Sequence, residues 1–392
     1  MKDLGAKKSN VMAIVLIFIM MILIATIDNI RGVFIPIFKH DFGVNDTTIG
    51  VMLTVSSLGY IAFTYIGGIL CEKIGQKKVF LLGFTFIIIS LGLLGVTYRL
   101  PMLLIGMFIM NMGLGLTSIA TNTIVPVLFL SFQAIMINLT HFCYGLGSTF
   151  AQRLAGILLF NGVNWRTIYL VEAILTILLM IVFIFIKIPE PAKENHIEEN
   201  HKSEILKNKL IYFYIAALGF YVFAEVGTGN WFINFMQKSY NYNESKSSFY
   251  LALFFGIFTV GRLLGGFIVE KMGYLTTVLV SLTIGAALYL SGLLIGERGI
   301  IIISISGLFF SITFPTVVLS IRKVFKNNVA YITGVIITFG SIINMIMNLI
   351  LARLNDKVGV YLSFYLVPIS LFISIIFLFL IYINTKKSFI KE

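Results

Sequence analysis

Three carboxylates fall inside apolar stretches of this chain: Asp28, Glu172 and Glu225. A charge at mid-bilayer costs about 2.5–3.5 kcal/mol or more, so an acid kept at that depth is expected to do work. A carboxyl group that alternates between dry and wet surroundings takes up a proton in the first and gives it up in the second. Asp28 has Asn29 beside it and Arg31 three residues on, a spacing that equally fits a structural ion pair. Glu225 has no cation one turn away on its own helix, which makes it the freer proton carrier of the two. Glu172 follows Arg166 near a helix end and reads as structural. Helical spacing puts Asn138, His141 and Gly145 on one face, with Tyr144 adjoining. Amides, imidazoles and aromatic faces are what a site for a neutral polyol uses. Trp231 fits either such a site or a membrane-interface anchor. Ser341, Asn344 and Asn348 form a polar stripe that either lines a cavity or holds helices together.

The elements that carry these residues must be membrane helices. Of 392 residues, 58% are hydrophobic and 12% charged, and the mean hydropathy is +0.99. A soluble protein carries roughly 25% charge. That much apolar surface cannot be hidden in water, which excludes a soluble enzyme, a nucleic-acid binder and a disordered chain. The runs are continuous rather than alternating, so helices are expected and a β-barrel is not. At about 20 residues per crossing, twelve helices fit. They are expected near 11–37, 48–70, 78–98, 100–124, 133–160, 166–187, 210–237, 248–269, 275–295, 299–321, 329–352 and 360–384. The first reads as an uncleaved helix, because Asp28 and Arg31 stand where a signal peptide needs small residues.

One polar stretch, within 188–209, separates an N-terminal half (1–187) from a C-terminal half (210–392). With both termini and this linker on one side, that side holds more than twice the Lys and Arg of the other. Both termini and the linker are therefore expected in the cytoplasm, and the net charge of +12 reflects those loops. Cys71 and Cys143 lack metal-type spacing and read as free thiols. No phosphate-binding glycine loop ends in Lys-Ser or Lys-Thr, so neither ATP nor another cofactor is expected.

The halves echo each other at an offset of 198 positions. Gly68-Ile-Leu-Cys-Glu72-Lys73-Ile-Gly75 recurs as Gly266-Phe-Ile-Val-Glu270-Lys271-Met-Gly273, and Phe42, Asn45 and Asp46 recur as Tyr240, Asn243 and Glu244. Asp28 and Glu225 fall one residue from the same register. The glycine–acid–glycine loop resembles the signature loop of the major facilitator superfamily, with Glu72 where Asp is usual. The resemblance implies two pseudo-symmetric six-helix halves and a loop that acts as a conformational latch. Gly68 and Gly266 are expected to allow close helix contact. Glu72, Lys73, Gly75, Glu270, Lys271 and Gly273 would complete the latches, and Arg262 would bond carbonyls or Glu270 in the second.

Within that superfamily, four stretches are similar to the fucose–galactose–glucose:proton symporters: Gly113-Leu-Gly115 with Asn122, Asn138 to Gly147, Tyr221 to Trp231, and Gly307 to Thr316. The resemblance implies a proton-coupled carrier of a monosaccharide. Asp28 and Glu225 would carry the proton, on helices that line the central cavity. Asn29, Asn122, Asn138, His141, Tyr144, Tyr221, Trp231, Asn344 and Asn348 would meet the solute. The chain departs from the pattern at Ser118, where an acid is common, and at Gln152-Arg153, where a proline is common. An exporter of drugs or metabolites is the alternative. The expected partners are a small solute, protons and the bilayer, and the expected state is a monomer in the cytoplasmic membrane.

Overall fold

The computed structural model describes residues 2–128, 133–186, 208–325 and 329–389; most of the expected linker lies outside them. Every regular element among these residues is helical. The N-terminal part contributes α1 (Lys2–Asn29), α2 (Arg31–Phe42), α3 (Asp46–Ile74), α4 (Gln76–Gly95), α5 (Leu100–Leu128), α6 (Gln133–Phe160) and α7 (Trp165–Phe185). The C-terminal part contributes α8 (Lys209–Tyr240), α9 (Glu244–Met272), α10 (Tyr274–Ile295), α11 (Ile300–Phe310), α12 (Thr313–Val324), α13 (Val329–Val358), α14 (Val360–Ser363) and α15 (Leu366–Phe389).

Ten stretches among the described residues are long and apolar enough to cross a membrane. One of them, Tyr274–Ile321, is 48 residues long and holds two crossings, and the 28-residue α6 completes twelve. Three crossings are made of two segments each: α1–α2, α11–α12 and α14–α15. Two of these breaks have a common cause. Pro315 and Pro368 are each the third residue of the second segment. A proline ring clashes with the carbonyl four residues back and offers it no N–H. Those positions are Ser311 and Phe364, where each helix opens into a turn. The expected single helices at 299–321 and 360–384 are thus interrupted.

The chain divides into two compact units, Met1–Glu194 with Asn243–Phe249, and Asn195–Tyr242 with Tyr250–Glu392. Packing repeats between them. In the first unit α1 packs on α6 and α4 on α7; in the second, α8 packs on α13 and α10 on α15. On α6, Gly147 allows the closest approach to α1: a Cβ there would overlap the Ile22 carbonyl. Outward faces are apolar, as in Leu175, Leu178 and Val182 of α7, which are about half exposed, as a lipid-facing surface requires.

The latch loops share one backbone geometry. Gly75 has φ 85° and ψ 153°, and Gly273 has φ 84° and ψ 155°, a region only glycine adopts without strain. Each glycine ends one helix and starts the next. A third copy, Asp356-Lys357-Val358-Gly359, joins α13 to α14 with φ 86° and ψ 153° at Gly359. Three crossings separate it from Gly273, so it faces the opposite side of the membrane. One expectation is corrected here. A Cβ on Gly68 would only touch Ile119, at 4.0 Å, whereas on Gly67 it would lie 2.7 Å from Ile119 Cγ2. The close helix approach falls on Gly67. The surroundings of Gly266 and the side chain of Glu72 are not among the described features, and Lys73, Glu270, Lys271 and Gly273 are exposed.

Candidate functional site

In the first unit, the packing of α1 on α6 brings two sequence-distant motifs together. Tyr144 donates its hydroxyl to Asp28 Oδ2 at 2.6 Å, and Asn29 Nδ2 donates to the Tyr144 oxygen at 3.2 Å. Asn29 also back-bonds to Ala25 O at 3.0 Å, which fixes its rotamer. Arg31 Nη2 lies 3.9 Å from Asp28 Oδ1, the local pair that the spacing suggested. The Asp28 side chain keeps 32% exposure, so the cluster has one open side. His141 is exposed one turn before Tyr144, and Asn122 is exposed on α5. The Asn138 side chain lies outside the described residues. Ser118, at the position where an acid is common, accepts a hydrogen bond from the Tyr60 hydroxyl at 2.9 Å. Tyr60 carried no signal in the sequence beyond being a tyrosine in an apolar run.

Glu172 does not pair with Arg166. That arginine is held by Asp41 at 3.0 Å and by Thr97 O at 2.6 Å, while Trp165 also donates to Asp41 at 2.9 Å. Glu172 instead sits against Thr26 of α1, whose Oγ1 lies 2.9 Å from Glu172 Oε2.

In the second unit, Glu225 of α8 has a cation after all. Arg262 Nη2 of α9 lies 3.8 Å from Glu225 Oε1, and its guanidinium stacks 4.5 Å from the Phe258 ring centre. Arg262 was expected in the second latch. Its partner is 37 positions away in sequence, so helical spacing could not reveal the pair. The Nε atoms of both Arg31 and Arg262 are buried without a hydrogen-bond partner among the described residues. Buried unpaired donors of this kind are rare, and a change of conformation or a bound oxygen satisfies them.

Three residues expected to meet solute are instead occupied by the protein. Tyr221 is fully buried, and its hydroxyl donates to Phe310 O at 2.7 Å, at the break between α11 and α12. Trp231 is 1% exposed, so it anchors no interface; its Nε1 donates to Asn348 Oδ1 at 3.1 Å. Asn348 is saturated. Its Oδ1 also accepts from Asn230 at 3.2 Å, and its Nδ2 donates to Asn344 O at 3.1 Å and Asn344 Oδ1 at 2.8 Å. An amide with two acceptances and two donations has nothing left to offer. Asn344, only half-buried, is the accessible end of this network. Both cysteines are buried thiols outside any disulfide.

The sequence pattern of the Major Facilitator Superfamily matches residues 17–342. The chain belongs to that superfamily. Its members are transporters rather than enzymes, and this chain is a multi-pass membrane protein of the same two-half architecture. Among curated proteins it is 26% identical over 337 residues to a putative glucose/galactose transporter of Helicobacter pylori, covering 79% of this chain and 81% of that one. It is 23% identical over 375 residues to the glucose/galactose transporter of Brucella abortus, covering 89% and 88%. A match to the cis,cis-muconate transport protein of Acinetobacter baylyi, at 24% identity, spans only 60% of each chain. Among solved structures, the E. coli fucose:proton symporter aligns with a TM-score of 0.69 and 18% identity, over 95% of this chain and 99% of that one. A bacterial homologue of the human lysosomal transporter Spinster, inward-facing and occupied, aligns with a TM-score of 0.77 and 16% identity, over 96% and 97%. At these identities the solved structures establish the fold.

Proposed function

We propose that this superfamily member is a secondary active importer of a small neutral polyol, a monosaccharide, driven by protons through alternating access in the cytoplasmic membrane, with both termini inside. The observation that carries the reading is the Asp28–Asn29–Tyr144 cluster: an acid, an amide and a phenol joined by hydrogen bonds at the half-exposed contact of α1 with α6. Such a cluster offers both donors and acceptors to sugar hydroxyls, and its acid can exchange a proton with water. His141, one turn away and exposed, widens the same face. The relatives named as glucose/galactose transporters support the solute class, and the fucose:proton symporter with the same fold supports the coupling.

Asp28 and Glu225 are the two proton candidates, each facing an arginine. Proton binding would release the arginine, and solute binding would follow or precede it in a fixed order. The test is uptake of a panel of labelled monosaccharides into vesicles holding the purified protein, with and without an inward pH gradient. Accumulation of one sugar class only with the gradient is expected. If no sugar enters above empty vesicles, the solute class is wrong; equal entry with and without the gradient removes proton coupling.

A further inference from the structure

Glu172 is 9% exposed on α7, and among the described residues it forms no ion pair. Its carboxyl meets the Thr26 hydroxyl, 2.9 Å from Oε2. The same hydroxyl lies 2.7 Å from Leu23 O, the back-bond that threonine commonly makes inside a helix. Three oxygens therefore stand in a row with two hydrogen-bonding contacts between them. Two full-strength contacts need two protons, although one proton can be shared weakly between two acceptors. A carbonyl has none, and a hydroxyl has one. Either the one threonine proton is shared between the Leu23 carbonyl and the carboxylate, or Glu172 carries a proton of its own and donates it to Thr26 while Thr26 donates to Leu23 O. Only the second arrangement makes both contacts full two-centre hydrogen bonds and leaves no uncompensated charge on this buried side chain.

The charged and titratable groups around this row do not supply an alternative. Tyr169, one turn earlier on α7, has a buried hydroxyl with no hydrogen-bond partner among the described residues. Arg31 of α2 faces Asp28, and Tyr144 of α6 donates to Asp28. Arg153 of α6 donates to Ser245 O at 2.6 Å. The titratable residues of α4 are Lys77 and Lys78, and Lys77 bonds Ile184 O and Ile186 O at the far end of α7. Arg166 is held by Asp41.

We propose that Glu172 is a proton-binding site of the N-terminal unit, distinct from Asp28, that holds its proton against Thr26 and reports its loss to α1. When the carboxyl O–H breaks and the proton leaves to water, the carboxylate becomes an acceptor. It then draws the Thr26 hydroxyl away from Leu23 O. Thr26 is two residues before Asp28, so the exchange acts on the segment of α1 that carries the candidate site. The consequence for transport rests on the proton-driven reading above; the proton site itself does not.

The test is infrared absorbance of neutral carboxyl groups in the protein reconstituted in lipid vesicles near neutral pH. Glu172→Gln is expected to remove the absorbance of one carboxyl. Raising the pH is expected to remove the same band from the parental protein and not from that variant. Thr26→Val, which leaves Glu172 in place should the first variant fold poorly, is expected to shift the band, and Thr26→Ser to leave it where it was. Spectra unchanged in Glu172→Gln, or a band unmoved in Thr26→Val, overturn the proposal. Uptake recorded on the same vesicles separates the two readings: a band that behaves as expected beside sugar uptake indifferent to the pH gradient removes the coupling role and leaves the proton site.

Discussion

The two units each set one acid against one arginine at nearly the same distance, 3.9 Å for Asp28–Arg31 and 3.8 Å for Glu225–Arg262, but they build the pair differently. In the first unit both charges come from adjoining segments of one crossing, three residues apart, where α1 gives way to α2 at Ile30. Tyr144 then adds a short hydrogen bond from α6. In the second, Glu225 lies inside the unbroken α8, and its cation arrives from α9, braced on Phe258. A local pair moves as one piece. A pair between two helices changes whenever those helices shift, so under the proposed cycle Glu225 is the acid whose surroundings are expected to alter most. That reason replaces the one available from sequence, the absence of a cation one turn away on the same helix, because Arg262 reaches Glu225 from α9.

The largest expected effect tests that ranking. Glu225→Gln keeps the shape and removes the titration, and is expected to abolish accumulation driven by a pH gradient while exchange of internal for external sugar continues. Asp28→Asn is expected to impair accumulation less. Accumulation that survives in the double variant would mean that neither acid carries the proton.

Stability sharpens the comparison next. Removing one member of a fully buried pair strands the other charge at about 3–5 kcal/mol, and these partly exposed pairs are expected to lose less than that. Arg262→Met is therefore expected to lower the thermal unfolding midpoint in detergent clearly, and Arg31→Met less, because Asp28 keeps Tyr144 and is more exposed than Glu225. Combining Glu225→Gln with Arg262→Met should recover most of the loss. Equal losses for the two arginine variants would erase the distinction between local and tertiary pairs.

Tyr144→Phe removes the short hydrogen bond that α6 gives to Asp28. Hydrogen bonds to charged groups contribute about 1.5–3 kcal/mol. The variant is expected to weaken sugar binding measured by thermal stabilisation with added solute, and Glu225→Gln to leave that binding closer to parental. Unchanged binding in Tyr144→Phe would shift the solute face to Asn344 of α13.

The smallest effect concerns what the units share. Gly75→Ala and Gly273→Ala each force a non-glycine residue into a glycine-only region, a strain of about 1–3 kcal/mol. Similar losses of unfolding midpoint are expected from both. Markedly unequal losses would limit the likeness of the two loops to their backbone shape.

Chemistry of the solvent made much of this legible in advance. Twelve crossings, the acids Asp28 and Glu225, and the repeat over Gly68–Gly75 and Gly266–Gly273 all follow from periodicity and composition, because hydrocarbon forces each segment to satisfy its own backbone. The local Asp28–Arg31 pair was readable for the same reason: helical spacing alone brings it together. Prolines 315 and 368 were visible too, yet their consequence, two opened helices, depends on how the following segment is held. Whatever requires two helices to meet was decided only by tertiary structure. Helix packing gave Glu225 its arginine, gave Glu172 a threonine in place of Arg166, moved the close approach from Gly68 to Gly67, and spent Tyr221, Trp231 and Asn348 on the protein's own polar groups. A sequence records which side chains need partners; which partner each finds depends on the rotation and separation of helices tens of positions apart, and no spacing rule along one chain contains that.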